Sequence, residues 1–508
     1  MRQYLIGIDL GTSGCKSIIM DDLGCIVASC LEGYPLNTPK PGWYEQDTAQ
    51  WWQAVKSGIK KMLKGFEHVQ DIKGIGLSGQ MHGLVSLGKS HEVLRPCMIW
   101  ADFRNEKQCR DVYERTGGEE GLLRYTNNKM LTGYTGGKIL WVMENEPQIF
   151  EKMKFFLNPK DFIRLMLTGE IATEVSDASG TGLFNVRKRE WSYELIDLLG
   201  IPREIFPLCY ESQEVTGKLL KAVASEMGLP EGIPVIGGGG DAIIQSTGTG
   251  LTKEGIFGTT IGTGGIVMSA LDRFYDNPGG NLQVFCNNMP DKWHTMGVML
   301  GAGGALKWFK DILCEPEIKT AGLCGRDIYS ILDEEASQAA PGAEGLMFLP
   351  FLLGQRCPHA DSNARGAYVG FTPRHTRKHM LRSLMEGVIF SLRDMAELIE
   401  KMGVIPKEIR TTGGGAKSDF WRQIQADVFN LEVVTMSGAA EGGALGAALV
   451  AGAGTGVWPA VEYAAQVLKP ETHNCPDDKR FREYEKIFPI YRELYGALKK
   501  TFSDIASL

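Results

Sequence analysis

A glycine-rich hairpin motif occurs twice in this chain of 508 residues, once near the start and once at mid-chain. Residues 6–14 read IGIDLGTSG and residues 257–265 read FGTTIGTGG, and the two stretches align without a gap. In each, an apolar run leads into a Gly-Thr turn and a second apolar run leads out of it. The repeat therefore predicts a protein with two similar halves.

Both turns have the composition of a phosphate-binding loop. Glycine permits a positive φ and a close approach of the backbone to a ligand, and Thr and Ser add hydroxyl groups. Successive N–H groups of such a turn suit phosphate oxygens. We expect the two turns to hold one polyphosphate between them, through Gly11, Thr12, Ser13, Gly262, Thr263 and Gly264. Either turn alone could be an ordinary glycine-closed hairpin, an interpretation that the gapless repeat disfavours.

The two copies differ at charged positions. Asp9 corresponds to Thr260, and Lys16 corresponds to Val267. A carboxylate beside a phosphate is unfavourable unless a cation lies between them, and Mg²⁺ is the usual cation. We therefore expect Asp9 to hold Mg²⁺ and Lys16 to bind phosphate, with no metal in the second half.

The composition excludes several classes of protein. A hydrophobic content of 43% and a charged content of 23% are those of a globular protein. The net charge of −7 and the lack of a basic cluster argue against a nucleic-acid or membrane partner. No apolar stretch is long enough to span a bilayer, and the N-terminal residues do not resemble a signal peptide. Eleven cysteines without a Cys-x-x-Cys pair predict reduced thiols and a cytoplasmic location.

Hydrophobic patterns predict two α/β domains, 1–245 and 246–508. Toward the N-terminus, Asp47 is expected to cap a helix, and strands are predicted at 4–9, 17–20, 25–29 and 72–77. Further along, strands are predicted at 233–236, 409–411 and 431–435. The longest helix is expected at 377–402, and a small-residue helix that allows a very close neighbour begins at 441.

The carboxylate of Asp241 is the predicted catalytic base. Four glycines precede it after a predicted strand, so the side chain can approach a bound substrate. A kinase needs in-line positioning, a metal on the phosphates and a base that takes the hydroxyl proton. Asp9 and Asp241 divide the last two roles. Asp241 could also cap the following helix, and the two roles are compatible.

A second strand end carries candidate sugar-binding residues, Met81 and His82, in a loop bracketed by glycines. Open α/β sheets bind ligands at such strand ends, which here outweighs the usual structural role of a lone histidine. Further candidate residues are Trp100, Asp102 and Arg104. Their aromatic ring, carboxylate and guanidinium together suit a polyhydroxylated ligand. Taken alone, these three could be a surface salt bridge beside a core tryptophan.

The turn at residues 413–416 reads GGGA and follows a predicted strand. It lacks the G-x-G-x-x-G spacing, which disfavours a dinucleotide fingerprint. Gly414, Gly415 and Ala416 instead suit a flat backbone platform for an adenine ring.

Together these motifs resemble the FGGY carbohydrate kinases over essentially the whole chain. The resemblance rests on DLGTS at 9–13, QMHG at 80–83, GGGD at 238–241, GT at 262–263 and GGGA at 413–416. The FGGY kinases belong to the actin-like ATPase superfamily, whose duplicated ribonuclease-H-like domains would explain the repeat. The resemblance therefore implies two such α/β domains with a cleft between them.

The same resemblance implies ATP-dependent phosphorylation of a ketopentose, with D-xylulose at O5 as the first candidate. It implies that Asp241 is the base, that Met81 and His82 bind the sugar, and that Asp9 supports Mg²⁺. It places the adenosine near Gly415, Ala416 and Asp419. The expected partners are the sugar and ATP, and a homodimer is left open.

The sequence departs from the family pattern in three places. Ala242 and Ala101 stand where the family usually has Asn, and residues 354–358 read GQRCP where it usually has GERTP. Loss of two amides can remove hydrogen bonds to sugar hydroxyls. The alternatives left open are an FGGY kinase for another ketose or polyol and an actin-like ATPase without sugar kinase activity. A nicotinamide oxidoreductase is disfavoured by the missing fingerprint.

Overall fold

The computed structural model describes residues 2–508, which form two compact α/β units. The first unit comprises residues 2–252 together with Ala270–His294 and Glu441–Lys469. The second comprises Lys253–Ser269, Thr295–Ala440 and Pro470–Leu508. The first unit thus draws on segments from both halves of the sequence, and the domain boundary at residue 245 stays a prediction.

The strands have two to eight residues each. In chain order they are β1 Tyr4–Leu10, β2 Gly14–Asp21, β3 Ile26–Gly33, β4 Glu45–Gln46, β5 Ile72–Gly79, β6 Val85–Leu87, β7 Cys97–Met98, β8 Phe155–Leu157, β9 Ala172–Glu174, β10 Phe184–Asn185, β11 Glu190–Trp191, β12 Leu208–Tyr210, β13 Val215–Lys218, β14 Pro234–Ile236, β15 Gly239–Gly240, β16 Ile256–Ile261, β17 Gly265–Leu271, β18 Gln283–Cys286, β19 Trp293–Met299, β20 Met347–Leu349, β21 Ala367–Val369, β22 Glu408–Thr412, β23 Val433–Met436 and β24 Pro470–Asn474.

The helices are α1 Thr48–Leu63, α2 Glu106–Thr116, α3 Glu119–Thr126, α4 Thr135–Asn145, α5 Pro147–Lys152, α6 Pro159–Thr168, α7 Val175–Ser179, α8 Tyr193–Leu199, α9 Lys221–Met227, α10 Asp241–Gly248, α11 Gly303–Leu313, α12 Glu315–Cys324, α13 Ile328–Ser337, α14 Arg377–Lys401, α15 Asp419–Phe429, α16 Gly442–Gly454, α17 Val461–Ala464 and α18 Asp478–Ala506. Across residues 2–508, none of them combines the length and apolar character needed to cross a membrane.

The first unit contains a seven-stranded sheet in which β1 pairs antiparallel with β2 and parallel with β5. The strand order is β13-β14-β5-β1-β2-β3, and β15 pairs with β5. Helix α16 packs on β1 and β5 at very short range. A Cβ on Gly7 would lie 1.9 Å from the Ala444 carbonyl oxygen, and one on Gly76 would lie 1.9 Å from that of Ala447. The expected close neighbour of the small-residue helix is therefore the sheet.

The second unit contains most of another seven-stranded sheet, including the run β17-β16-β22-β23-β24. As in the first sheet, an antiparallel hairpin (β16 and β17) has its first strand paired parallel with a later strand, β22. The predicted duplication is thus present in the topology.

The pairing register of the two hairpins differs by one residue. Asp9 lies opposite Lys16, whereas Thr260 lies opposite Ile266. The second turn is one residue shorter, because Ile261 pairs with Gly265 while Leu10 pairs with Cys15. In the structure Lys16 therefore corresponds to Ile266, and not to Val267 as in the gapless sequence alignment.

Most predicted elements are present, with ends shifted by a few residues. Asp47 caps α1, its side chain accepting a hydrogen bond from the Ala49 N–H. The expectation that the helix at 377–402 is the longest was wrong, since α14 has 25 residues and α18 has 29. The core-facing side of α18 is aromatic and its other faces are charged, so it lacks the aliphatic stripe of α14. Its buried residues are Tyr484, Phe488, Tyr491, Tyr495 and Phe502.

Candidate active site

The first glycine turn connects β1 to β2 and is closed by a hydrogen bond from the Gly11 N–H to the Gly14 carbonyl, 3.0 Å long. Neither Gly11 nor Gly14 has a positive φ, so neither uses the left-handed conformation that glycine permits. Glycine is required at position 14 for space, because a Cβ there would lie 2.7 Å from the Glu32 carbonyl oxygen. Ser13 is exposed at the tip of the turn.

A polar network holds Thr12 in this turn. The Trp100 indole donates to the Thr12 hydroxyl over 2.9 Å, and the Gln46 amide donates to the Thr12 carbonyl over 2.7 Å. Gln80, at the end of β5, donates to the Gln46 side chain over 2.7 Å. Strand β5 and the Trp100 loop are thereby tied to the turn.

The carboxylate of Asp9 lies beside the N-terminal turn of α16. Its Oδ1 accepts a 2.7 Å hydrogen bond from the Ser78 hydroxyl. Burial raises the pKa of Asp9, and the Ser78 hydrogen bond opposes that rise. A Cβ on Gly443 would lie 2.6 Å from the Asp9 Cγ and 2.7 Å from the Ser78 Oγ. Glycine at 443 therefore makes room for this carboxylate.

Lys16 forms an ion pair in this structure. Its ammonium nitrogen lies 2.7 Å from a carboxylate oxygen of Glu441, and both side chains are partly buried. Binding of Lys16 to phosphate stays a prediction, and it would have to compete with Glu441.

Met81 and His82 lie in the loop that follows β5. Met81 is buried, and its backbone N–H is directed to the Asp241 carboxylate. His82 has a positive φ of 72°, and its Nδ1 lies 2.6 Å from the Gly180 carbonyl oxygen. Its ring stacks on Tyr134 at 4.5 Å. These contacts hold the imidazole in one orientation, and with Nδ1 donating to the carbonyl the neutral ring keeps Nε2 as its acceptor nitrogen.

Asp241 is the first residue of α10, directly after β15. Its Oδ1 accepts a 2.8 Å hydrogen bond from the Ala242 N–H, while the N-cap position belongs to Gly240. Burial, reinforced by the negative charge of Asp9, raises the pKa of Asp241 to about 7. Such a carboxyl exchanges a proton at neutral pH, which suits a general base.

Asp102 and Arg104 form a buried ion pair with a nitrogen-to-oxygen distance of 2.6 Å. Arg104 also pairs with Glu45 at 2.8 Å and lies 3.7 Å over the Trp43 ring. Trp100 is instead 47% exposed. The alternative of a surface salt bridge beside a core tryptophan is thus wrong on both points. The carboxylate and guanidinium are engaged inside the protein, so direct sugar contact by Asp102 and Arg104 stays a prediction, whereas Trp100 has a face open to a ligand.

In the second unit, the shorter glycine turn is closed by the Gly262 N–H on the Gly264 carbonyl, at 3.0 Å. Thr263 at its tip is exposed. The Thr263 carbonyl accepts from the backbone N–H groups of Ala302 and Gly304, at 2.9 and 3.0 Å. The start of α11 is therefore bound to this turn.

The GGGA turn adjoins the same hairpin. Gly413 has a φ of 85°, and a Cβ on Gly415 would lie 2.4 Å from the Ile261 Cγ2. Gly414 is exposed, with no atom within 4 Å of a Cβ position. Ala416 is buried. Asp419 is exposed, and its Oδ1 accepts from Arg422 and Asn474 at 2.9 and 3.1 Å.

The sequence reasoning missed several residues that the structure brings to these sites. Ser78 lies on Asp9, Gly443 lies against both, and the N-terminal turn of α11 lies on Thr263. The sequence GAGG at 301–304, directly after an apolar strand, was the available signal for the last of these. Gly443 and Asp9 are far apart in sequence, so no local pattern could connect them.

Two family domains cover most of the chain: residues 4–248 match the N-terminal domain of the FGGY family of carbohydrate kinases, and residues 258–455 match its C-terminal domain. The chain belongs to the FGGY family. This FGGY kinase is 38% identical to the xylulose kinase of Bacillus subtilis over 500 residues, which cover 98% of this chain and 97% of that protein.

Two solved structures from Lactobacillus acidophilus superpose on this FGGY kinase with a TM-score of 0.91 each. One is a ligand-bound xylulose kinase with 29% identity and the other a gluconate kinase with 28% identity. Each alignment covers 99% of this chain and 100% of the other. The two-unit α/β fold is therefore that of the FGGY sugar kinases, and the protein is a carbohydrate kinase.

Proposed function

We propose that this carbohydrate kinase transfers the γ-phosphoryl group of ATP to O5 of D-xylulose, with Asp241 as the general base. The observation that carries the proposal is the Asp241 carboxyl, whose pKa is raised to about 7 by burial and by Asp9, next to the Met81 and His82 loop. The similarity to xylulose kinases supports D-xylulose as the sugar.

In this proposal the sugar lies against the loop after β5. His82 accepts a hydrogen bond from a sugar hydroxyl through Nε2, Met81 provides an apolar contact, and Trp100 covers one face. Asp241 accepts the proton of the O5 hydroxyl as the oxygen attacks the γ-phosphorus atom, the bond from that phosphorus to the β,γ-bridging oxygen breaks, and ADP leaves. The transferred proton then resides on the Asp241 carboxyl.

Asp9 fits a magnesium site by its chemistry. Of residues 2–508, no three His, Cys, Asp or Glu side chains are grouped to enclose a metal ion. Mg²⁺ does not need such a group, because it binds one or two carboxylates together with water and substrate phosphates. A bound Mg²⁺ neutralises charge on the phosphates. Asp9 would hold it, and the adjacent Ser78 hydroxyl orients the carboxylate.

The backbone N–H groups of each glycine turn are proposed to bind phosphate, and in the second unit the open surface of Gly414 is proposed to hold the adenosine. We retain 1–245 as the sugar and metal side and 246–508 as the nucleotide side. We propose that the enzyme acts in the cytoplasm, consistent with eleven free cysteines among the described residues. Whether it forms a homodimer stays an open question.

The test is Asp241→Asn, which keeps the side-chain shape and the acceptor for the Ala242 N–H. A general base contributes about 10²–10⁴-fold, so we expect kcat to fall by at least about 100-fold while ATP and D-xylulose still bind. ADP release is measured with D-xylulose, gluconate and glycerol. Asp47→Asn, at an exposed helix cap, is the control. A variant that keeps a tenth of the wild-type kcat would rule out Asp241 as the base, and a wild type that prefers gluconate or glycerol would overturn the choice of sugar.

A further inference from the structure

A buried ionic cluster in the first unit has no part in the proposed chemistry. Lys160, Asp161, Glu174 and Asp177 are all fully buried. The Lys160 ammonium nitrogen lies 2.6, 3.4 and 3.3 Å from carboxylate oxygens of Asp161, Glu174 and Asp177, respectively. Buried charges are costly unless paired, so the cluster fixes the positions of its members relative to one another.

Glu174 extends this cluster to the start of α7. Its Oε2 accepts from the Ser176 N–H at 2.8 Å and from the Ser212 hydroxyl at 2.6 Å. Its Oε1 accepts from the Asp177 N–H and from the Ser176 hydroxyl, both at 2.8 Å. The carboxylate is thus held by four donors in addition to Lys160.

The Ser176 hydroxyl has a defined direction because its single proton is donated to Glu174. Its oxygen accepts a 3.0 Å hydrogen bond from the Gly240 N–H. Both partners are buried. A serine oxygen has lone pairs available while its proton is donated, so both bonds form together.

Gly240 immediately precedes Asp241 and is positioned through its backbone. A Cβ at this position would lie 2.6 Å from the Met81 Cγ, so no side chain can be added to anchor it. The Ser176 bond adds to the pairing of β15 with β5 in setting where α10 begins. The direction of the Asp241 side chain depends on that starting point.

We propose that Ser176, oriented by Glu174, is a positioning residue that holds the Gly240 backbone and thereby places the Asp241 carboxylate. This inference rests on the proposed role of Asp241 as base. Ser176 acts through Gly240, and its contribution is one hydrogen bond to the loop.

The experiment compares Ser176→Ala with Ser246→Ala in the full-length protein. Ser246 is an equally buried serine in α10 whose hydroxyl donates to the Ile243 carbonyl within its own helix. Two readouts are combined: steady-state kinetics of D-xylulose phosphorylation, and hydrogen–deuterium exchange of the peptide that contains Gly240. Ser176→Thr, which retains the hydroxyl, serves as the rescue variant and also covers the case in which the alanine variant does not fold.

For Ser176→Ala we expect kcat to fall about ten-fold, the loss of one hydrogen bond, with the KM of D-xylulose changed less than two-fold. The Gly240 amide should exchange faster. Ser246→Ala should leave kcat and the exchange of the Gly240 amide unchanged. Ser176→Thr should largely restore the wild-type values of both quantities. Unchanged Gly240 exchange in Ser176→Ala, or equal kcat losses in Ser176→Ala and Ser246→Ala, would overturn the positioning role. The exchange readout needs no turnover, so a wild type inactive on D-xylulose would count against the proposed function alone.

Discussion

The negative charge of Asp9 acts on the carboxyl of Asp241 and adds to the effect of burial in raising its pKa to about 7. The two aspartates come from strand β1 and from the start of α10, which lie far apart in sequence. Each carboxylate has hydrogen-bond donors of its own: the Ser78 hydroxyl for Asp9, and the backbone N–H groups of Ala242 and Met81 for Asp241. The first unit therefore brings together two carboxylates with separate environments, as a metal ligand and a base require.

The raised pKa of Asp241 predicts a pH-dependent cost in stability. A carboxyl whose pKa rises from 3.8 to about 7 on folding binds its proton more tightly in the folded state. The contribution of Asp241 to the free energy of unfolding therefore falls as pH rises between about 4 and 7, and it is constant above that range. Asp241→Asn should stabilise the protein at pH 8, by at most about 4 kcal/mol, and should give no gain near pH 4. Urea unfolding at several pH values measures this, and a gain independent of pH would contradict it.

The same pKa predicts the pH dependence of phosphorylation. A base must be deprotonated to act, so kcat/KM for the sugar should fall about ten-fold per pH unit below about pH 7. Burial is the main cause of the raised pKa of Asp241 and the charge of Asp9 adds to it, so in Asp9→Asn the midpoint of the residual activity should move to lower pH. Asp47→Asn removes an exposed charge and should not move the midpoint. An unchanged midpoint in Asp9→Asn would show that the charge of Asp9 does not affect the pKa of Asp241.

Metal dependence should distinguish Asp9 from the sugar-binding residues. Asp9→Ala removes the proposed Mg²⁺ ligand, so the Mg²⁺ concentration for half-maximal activity should rise at least about ten-fold. The affinity for D-xylulose, measured by calorimetry without nucleotide, should stay within about two-fold. Lost sugar binding with an ordinary Mg²⁺ requirement would refute the assignment.

The contact between Gly443 and Asp9 predicts a sharp effect of a single methyl group. In Gly443→Ala the new Cβ would lie 2.6 Å from the Asp9 Cγ, so the carboxylate or the start of α16 must shift. We expect a kcat loss of about 10-fold or more together with a lower Tm. Gly496→Ala, in α18 with no atom within 4 Å, is the matched control and should stabilise by about 0.5–1 kcal/mol. Similar kinetics for both variants would show that Asp9 tolerates the methyl group.

Ala101 and Ala242 should limit the discrimination between sugars. Neither side chain can form hydrogen bonds, and the Ala242 backbone N–H is already donated to Asp241. Asn at both positions adds amide groups, so kcat/KM for D-xylulose should rise relative to that for gluconate. An unchanged ratio would mean that these positions do not contact the sugar.

Local sequence patterns determined the duplicated hairpins, a helix cap, a strand end and the family of this protein. The repeated IGIDLGTSG and FGTTIGTGG stretches predict two hairpins in duplicated halves, and both hairpins occur in equivalent places of two sheets. Asp47 caps α1, and Asp241 follows a glycine-rich strand end, because caps and strand ends depend on a few adjacent residues. The order of the FGGY motifs along the chain identified the family for the same reason.

Tertiary structure decided the interactions between distant segments. The one-residue difference in hairpin register, the Lys16–Glu441 ion pair and the internal engagement of Asp102 and Arg104 all depend on which segments meet. The space that Gly443 leaves for Asp9 and the hydrogen bond from Gly240 to Ser176 are likewise set by packing. A pKa near 7 at Asp241 also requires the fold, because burial and the charge of Asp9 act through space and have no signature in the adjacent sequence.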